Sequence, residues 1–243
     1  MPKFFVTDHS FDENGEVYIE GGDAAHIRQV LRGREGDLLT VCDGAGVDYA
    51  CEIIGVEREA VRLRICTARQ AATEPPVRVT LFQALPKGDK MEMVIQKAVE
   101  LGVHRIVPVL TEHTVVKLTQ KDKKTERYNK VAEAAAKQCM RGMIPQVTDA
   151  AALAEACTLL PALDEVYVAY ENTDGALVKE GFAQSKGAQV GIFIGPEGGF
   201  SPKEIAYLES RGARAVSLGR RILRTETAGM VALTLLLYER GAL

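Results

Sequence analysis

The sequence predicts an α/β protein in which a small, mostly β barrel precedes a mostly parallel sheet with helices on both faces. Two observations predict this arrangement. Residues 1–72 consist mainly of short β-rich runs, and from Val77 onward apolar runs alternate with helical patterns, as in βαβ units. The connector between them ends in Pro75-Pro76, which cannot donate to a β-ladder. We therefore expect domains at 1–72 and 73–243.

The composition is that of an ordinary globular protein and excludes several classes. Charged side chains make up 26% of the 243 residues and the formal net charge is −3, unlike a disordered chain or collagen. No C-x-x-C pair occurs and the four histidines lack ligand spacing, so we expect no metal site. The first ten residues have no apolar signal-peptide core. We therefore expect a cytoplasmic protein without a membrane partner.

Each element of the first part has its own pattern. Asp37–Cys42 and Val47–Val56 are β-rich and flank residues 43–46, Asp-Gly-Ala-Gly, which are typical of a hairpin turn. Glu59–Thr67 alternates apolar and charged side chains, which predicts a half-buried strand. Ala24–Leu31 is the helical stretch of this part.

The second part contains five apolar runs that predict strands: Arg78–Ala84, Arg105–Leu110, Glu165–Ala169, Gln189–Ile194 and Ala215–Leu218. Helical patterns lie between these runs. Asp89 is placed to cap a helix that buries Met91 and Ile95 and ends at Gly102.

The glycine-rich turn Gly195–Gly199 is the strongest candidate for a ligand site. A buried strand precedes it, and Ser201, Pro202 and Glu204 form a helix start with a capping box. Glycines let a ligand approach the backbone closely, and ligands bind at the carboxyl ends of strands in open α/β sheets. A tight βα turn without a ligand is the alternative. The chain contains no P-loop motif and this turn is not a dinucleotide fingerprint.

The last strand is followed by a second unusual loop, Leu218–Ala228, which contains three arginines and two threonines. The alternative, a solvated loop in which Thr225 caps the next helix, would explain Thr225 but not the other residues of the loop. The helix after it is apolar nearly all round, so we expect burial in the core or in a subunit interface. Its 11 apolar residues, 228–238, are too few to span a bilayer.

Basic residues are concentrated in one segment of this acidic chain. Residues 1–72 hold 8 basic and 13 acidic side chains, whereas 113–141 hold 8 basic and 3 acidic ones. Helical spacing places Lys130, Lys137 and Arg141 on one stripe, which predicts phosphate contact or, alternatively, a solvated face. Lys87 and Lys90 lie at the start of a predicted helix, where cations are mildly unfavourable. A bound anion would explain their placement, and the alternative is that both lysines point into water.

These motifs, in this order, resemble the bacterial 16S rRNA uracil-N3 methyltransferases of the SPOUT superfamily. The matching segments run through nearly the whole chain: His26–Arg32, Lys87–Met91, Lys97–Val103, Gln138 with Arg141, Ile194–Phe200 and Leu218–Ala228. Two positions depart from the family pattern. Residues 112–114, Glu-His-Thr, stand where an Arg-Ser type pair is common, and Cys139 stands where serine is usual.

The resemblance implies a SPOUT domain with a C-terminal trefoil knot, a PUA-like RNA-binding barrel before it, and a homodimer. It implies S-adenosylmethionine as methyl donor and 16S rRNA or the small ribosomal subunit as partner. The implied cofactor-binding residues are Ala169, Tyr170, Gly195, Pro196, Glu197, Gly198, Gly199, Leu218, Gly219, Ile222, Leu223, Thr225, Thr227 and Ala228. The backbone of Leu218, Ile222 and Leu223 would hold the adenine.

Methylation at uracil N3 requires loss of the N3 proton, and we predict roles for two residues of the last loop. Arg224 would stabilise the developing negative charge, while Glu226 would accept the proton or only support the loop. The candidates for RNA phosphate contact are Arg28, Arg32, Lys87, Lys90, Lys130, Lys137 and Arg141. Another SPOUT RNA methyltransferase, acting on ribose 2′-O or guanine N1, and a non-catalytic RNA-binding ribosome-assembly factor remain open.

Overall fold

The computed structural model of the protein describes residues 3–6, 10–12, 15–115, 121–171 and 178–243, without the side chains of 121, 122, 178 and 179. The chain divides into two compact units. The first contains residues 1–74 and 136–144, and the second contains 75–135 and 145–243. The expected boundary at 72/73 stays a prediction.

The first unit is built on a sheet of five described strands: β1 (Lys3–Phe5), β2 (Glu16–Glu20), β3 (Leu38–Cys42), β4 (Val47–Val56) and β5 (Ala60–Gln70). Their order is β1-β3-β4-β5-β2, and only the β1–β3 pair is parallel. The helix α1 (Gly21–His26) continues into a π-helical turn, Ile27–Leu31. The predicted hairpin, strands and helical stretch of this part are confirmed, and β5 is longer than predicted.

Residues 136–144 are held in the first unit by the Arg141–Glu74 ion pair and by hydrogen bonds from Lys3. The side chain of Lys3 lies 2.8 Å from Asp48 and donates to the backbone carbonyl of Arg141. The Arg141 guanidinium, 3% exposed, lies 2.5 Å from a carboxylate oxygen of Glu74. The connector after β5 is therefore anchored at Glu74.

The second unit contains seven described strands: β6 (Arg78–Ala84), β7 (Arg105–Leu110), β8 (Gln146–Val147), β9 (Ala151–Ala152), β10 (Glu165–Ala169), β11 (Gln189–Ile194) and β12 (Arg214–Val216). Helices α2 (Lys90–Glu100), α3 (Lys121–Gln138), α4 (Leu153–Ala156), α5 (Val178–Ala183), α6 (Pro202–Ser210) and α7 (Thr225–Glu239) alternate with them, and a 3-10 turn covers Cys157–Ala162. The strand order is β12-β10-β11-β6-β7-β8 with β9 beside β7, and every described pair is parallel. The predicted parallel sheet is confirmed.

The sheet carries apolar side chains on both faces, as a doubly covered parallel sheet must. Phe82 and Phe193 stack at 4.2 Å between ring centroids and belong to the cluster that includes residues of α4 and α6. Their neighbours Leu81 and Ile194 lie near Gly229 of α7, on the other face. Side chains alternate between the two faces along β6 and β11. One set of residues therefore packs against the helices on one face of the sheet, and the other set packs against the helices on the other face.

Two local predictions are wrong in detail. The last strand, predicted at Ala215–Leu218, is β12 at Arg214–Val216. Asp89 holds the predicted N-cap position of α2, but its side chain makes no capping hydrogen bond. Arg224, rather than Thr225, is the N-cap of α7, so Thr225 is the first helical residue.

Helix α7 buries one side of its surface and leaves the other partly open. Ala228, Ala232, Leu233 and Leu236 are buried, whereas Met230, Val231 and Leu235 are half-buried and Tyr238 is exposed. The expected burial of this helix on most sides is therefore not reached within one chain. Across the described ranges, no helix is long and apolar enough to cross a membrane.

Candidate functional site

A pocket of about 310 Å³ lies at the carboxyl ends of β10, β11 and β12 in the second unit. This volume lies at the lower end of the usual range for small-molecule sites, roughly 300–1,000 Å³. The loops that follow the three strands line it, as the strand-end rule for open α/β sheets predicts. The lining residues are Lys90, Ala169, Tyr170, Glu171, Ile194, Gly195, Pro196, Glu197, Gly199, Ser217, Leu218, Gly219, Arg221, Ile222, Leu223, Arg224, Thr225 and Ala228.

The glycine loop Gly195–Gly199 needs its glycines for two different reasons. Gly199 has φ +67° and donates from its backbone N–H to the Pro196 carbonyl at 2.9 Å, closing a turn that favours glycine. A Cβ on Gly195 would lie 3.2 Å from the Phe200 ring. Gly195 and Gly199 therefore present bare backbone to the pocket.

Helix α7 is joined to this loop through Thr225. The Thr225 hydroxyl donates to the Gly195 carbonyl at 2.6 Å and accepts from the Gln83 side-chain amide at 2.8 Å. Gln83 is fully buried at the end of β6 and Thr225 is 4% exposed. A buried chain of hydrogen bonds thus links β6, the glycine loop and the helix after the arginine-rich loop.

Lys90 lies between two carboxylates at the pocket. Its ammonium is 3.5 Å from Glu197 and 3.3 Å from Glu226. Glu197 also accepts from the backbone N–H of Lys87 at 3.1 Å. Burial raises the pKa of Glu197, but backbone N–H groups and the Lys90 ammonium outweigh it and hold the pKa below its ordinary value. Glu197 is therefore a firmly ionised group of the loop.

The segment after β7 reaches the glycine loop from another side. His113 Nδ1 lies 3.1 Å from the Gly199 carbonyl oxygen, and a Cβ added to Gly198 would lie 3.0 Å from the His113 Cβ. The backbone N–H of Glu112 donates to Glu204 at 2.8 Å. The sequence reasoning missed His113 as a site residue. No local pattern in the sequence marks this position, because its partner Gly199 is 86 residues away.

All but two of the residues expected to bind the cofactor line the pocket together. Gly198 lies instead in a neighbouring groove with Lys87 and His113, and Thr227 is exposed on the first turn of α7. Of the expected catalytic residues, Arg224 lines the pocket and makes no side-chain hydrogen bond or ion pair with the described part of the chain. Glu226 is 9% exposed and pairs with Lys90.

The structure separates the residues expected to contact RNA. Lys130 is exposed and pairs with Glu126, and Lys137 pairs with Asp23 at 3.1 Å. The assignment of Arg141 to their helical stripe is wrong, because α3 ends at Gln138 and the guanidinium is buried against Glu74.

The remaining expected RNA contacts have mixed environments. Lys90 is a pocket residue, while Lys87 is exposed in the neighbouring groove. The Arg28 guanidinium donates to the carbonyls of Glu57 and Arg58, whereas Arg32 is exposed with φ +53°.

Two domain families match this chain. The RNA methyltransferase domain matches residues 73–237, and the RNA methyltransferase PUA domain matches residues 19–66.

Similar proteins cover almost the whole length. The ribosomal RNA small subunit methyltransferase E of Bacillus subtilis is 34% identical, over 98% of this chain and 97% of its own. The crystal structure of the Neisseria gonorrhoeae ribosomal RNA small subunit methyltransferase E bound to S-adenosyl methionine is 29% identical, with TM-score 0.81 over 96% and 95% of the two chains. A putative methyltransferase of Legionella pneumophila, in complex with SAM, is 30% identical with TM-score 0.78 over 96% of each chain.

Proposed function

Because the chain belongs to the RNA methyltransferase family that includes the ribosomal RNA small subunit methyltransferases E, we propose that it methylates N3 of a uridine in 16S rRNA with S-adenosylmethionine as donor. One observation carries the proposal. The residues that the resemblance implies for the cofactor fall in three loops, after β10, β11 and β12, which come from separate parts of the sequence and line one pocket.

The residues present fit S-adenosylmethionine. The glycine loop offers backbone groups without side chains, and apolar Leu218, Ile222 and Leu223 suit the flat adenine. Glu171 and Glu197 lie in the same pocket, where carboxylates would balance the positive charge of a sulfonium. When bound, the donor supplies an electrophilic methyl group.

Arg224 is the residue of this chain that we assign to the target base. Uracil N3 carries a proton at neutral pH, so the transition state places negative charge on O2 and O4 as this proton leaves. Arg224 is exposed, lines the pocket and has no side-chain hydrogen bond or ion pair among the described residues, so its guanidinium is available to that charge. A cation beside such developing charge stabilises the transition state.

Glu226 fits the supporting role better than the role of proton acceptor. It is 9% exposed and its carboxylate is held by Lys90 at 3.3 Å. Through that ion pair, Glu226 orients Lys90 toward Glu197. The two contacts of Lys90 connect α7, α2 and the glycine loop.

The first part, 1–72, would dock RNA as a PUA-like barrel, and 73–243 would carry the chemistry within a trefoil knot. Because N3 lies on the Watson–Crick edge, the target uridine must be unpaired or flipped out. Exposed Arg32, Lys87 and Lys130 are the phosphate contacts that the structure leaves accessible. An rRNA or small-subunit substrate also places the reaction in the cytoplasm.

The enzyme would act as a homodimer through α7. The half-buried side of that helix carries Met230, Val231, Leu235 and exposed Tyr238, and a second copy would cover it. Light scattering of wild type and of Leu235→Asp tests this: a dimer that becomes a monomer supports the interface, and an unchanged mass removes it.

The reaction is tested with purified protein, labelled S-adenosylmethionine and unmodified small subunits, followed by mass spectrometry of the digested RNA. We expect N3-methyluridine. Ribose 2′-O-methylation or N1-methylguanine would replace the proposal with another SPOUT activity. Absence of donor binding in calorimetry would favour the non-catalytic RNA-binding factor.

A further inference from the structure

We propose that His113 is a positioning residue of the donor site, which holds Gly198 and Gly199 in the conformation that binds S-adenosylmethionine. The inference rests on the proposed function, since it concerns the same pocket. His113 belongs to the loop between β7 and α3, which none of the three expected donor loops includes.

The hydrogen bond at His113 has a defined direction. Nδ1 lies 3.1 Å from the carbonyl oxygen of Gly199, and a carbonyl can only accept, so Nδ1 carries the proton. The neutral imidazole in this tautomer and the imidazolium both have that N–H.

The backbone that carries His113 is itself fixed. Thr111 and Thr114 close a tight turn, with each residue's backbone N–H bonded to the other within 3.0 Å. Inside this turn, the N–H of Glu112 donates to Glu204, whose carboxylate also caps α6. His113 is thus projected from a preorganised turn onto the glycine loop.

The ring of His113 also fills space that only glycine leaves open. A Cβ added to Gly198 would lie 3.0 Å from His113 Cβ and 3.3 Å from its Cγ. The hydrogen bond to Gly199 and this contact with Gly198 fall on adjacent residues. The loop is therefore held from α7 by Thr225, from α2 by Lys90 and from the β7–α3 loop by His113.

Charged groups on several elements surround His113. Lys87, Glu112 and Glu197 line the same groove, and Glu171 lies next to Gly199. An arginine at this position would still donate an N–H to the Gly199 carbonyl. The proposed role accordingly depends on an N–H donor.

Isothermal calorimetry of S-adenosylmethionine binding tests the proposal. We expect His113→Ala to weaken binding roughly 3- to 10-fold, the range for one lost hydrogen bond, and His113→Arg to restore most of it. The matched control is His26→Ala, an exposed histidine of the first unit, which should bind as wild type. Equal affinities of His113→Ala and wild type would overturn the proposal, whereas a wild type that does not bind would overturn the proposed function.

One further readout distinguishes positioning from other roles. Gly198→Ala should weaken donor binding less in the His113→Gly background than in wild type, because the atom nearest to the added Cβ, the His113 Cβ at 3.0 Å, is then absent. Additive effects of the two substitutions would contradict the proposed contact.

Discussion

The Thr225 hydroxyl donates a 2.6 Å hydrogen bond to the carbonyl of Gly195, so the first residue of α7 is tied to the first residue of the glycine loop. The two residues are 30 positions apart in the sequence. Gln83 supports the same hydroxyl from β6. The donor pocket is therefore built on a buried polar link that joins three elements.

Replacing Thr225 by valine should destabilise the protein by about 1–3 kcal/mol, because the Gly195 carbonyl and the Gln83 amide both lose a buried partner. We also expect weaker S-adenosylmethionine binding. Chemical denaturation and calorimetry measure the two effects. Thr225→Ser keeps the hydroxyl and Thr227→Val changes an exposed threonine of the same turn, so both should behave as wild type. Wild-type donor affinity in Thr225→Val would contradict the role of this link.

Arg141→Ala should destabilise the protein by about 1–3 kcal/mol, because the half-buried Glu74 carboxylate would lose its guanidinium partner and keep only the Gly142 N–H. Lys130→Ala removes an exposed pair, with side chains 71% and 67% exposed, and should change stability by less than ~0.5 kcal/mol. Denaturation curves of the two variants provide the comparison. A small effect at Arg141 would mean that the ion pair to Glu74 does not hold residues 136–144.

Arg224→Ala should slow single-turnover methylation roughly 100- to 1,000-fold, as expected for a lost transition-state donor. Calorimetry should show nearly unchanged donor binding, because the backbone of the loop remains. Arg220→Ala, an exposed arginine of the same loop outside the pocket, is the matched control. An unchanged rate combined with weaker donor binding would make Arg224 a cofactor-binding residue instead.

Glu165 should contribute to stability in acid. Burial alone would raise its pKa, but hydrogen bonds from the Ser185 and Tyr167 hydroxyls and from two backbone N–H groups lower the pKa to about 2. The folded pKa is depressed below an unfolded value of about 4.3, so this contribution is complete above the unfolded pKa and is lost as pH falls toward 2. Thermal unfolding between about pH 5 and 2 should therefore show a steeper loss in wild type than in Glu165→Gln, and parallel curves would contradict it.

Much of the fold could be predicted because its signals are local. The strands β4, β6, β7, β10 and β11 begin and end where their apolar runs do. The capping box of Ser201 and Glu204 forms as expected, since its groups lie within one turn. The short strands β8 and β9, of two residues each, have no such pattern.

The failures that concern the candidate site share a physical cause, which is long-range pairing. Arg141 looked like part of a basic stripe because helical spacing was continued past Gln138, and its true partner Glu74 lies 67 residues away. Lys90 pairs with Glu226 across 136 residues, and His113 meets Gly199 across 86. Helical and strand periodicity describe neighbours along the chain, so they carry no information about such contacts.

The central claim, methylation of uracil N3 in small-subunit rRNA, is tested most directly by reverse transcription of that RNA from cells with and without the gene. A methyl group on N3 blocks Watson–Crick pairing and stops the polymerase. We predict one strong stop at a uridine that disappears when the gene is removed and returns with the wild-type gene but not with Arg224→Ala. Identical stop patterns in the presence and absence of the gene would contradict the assignment.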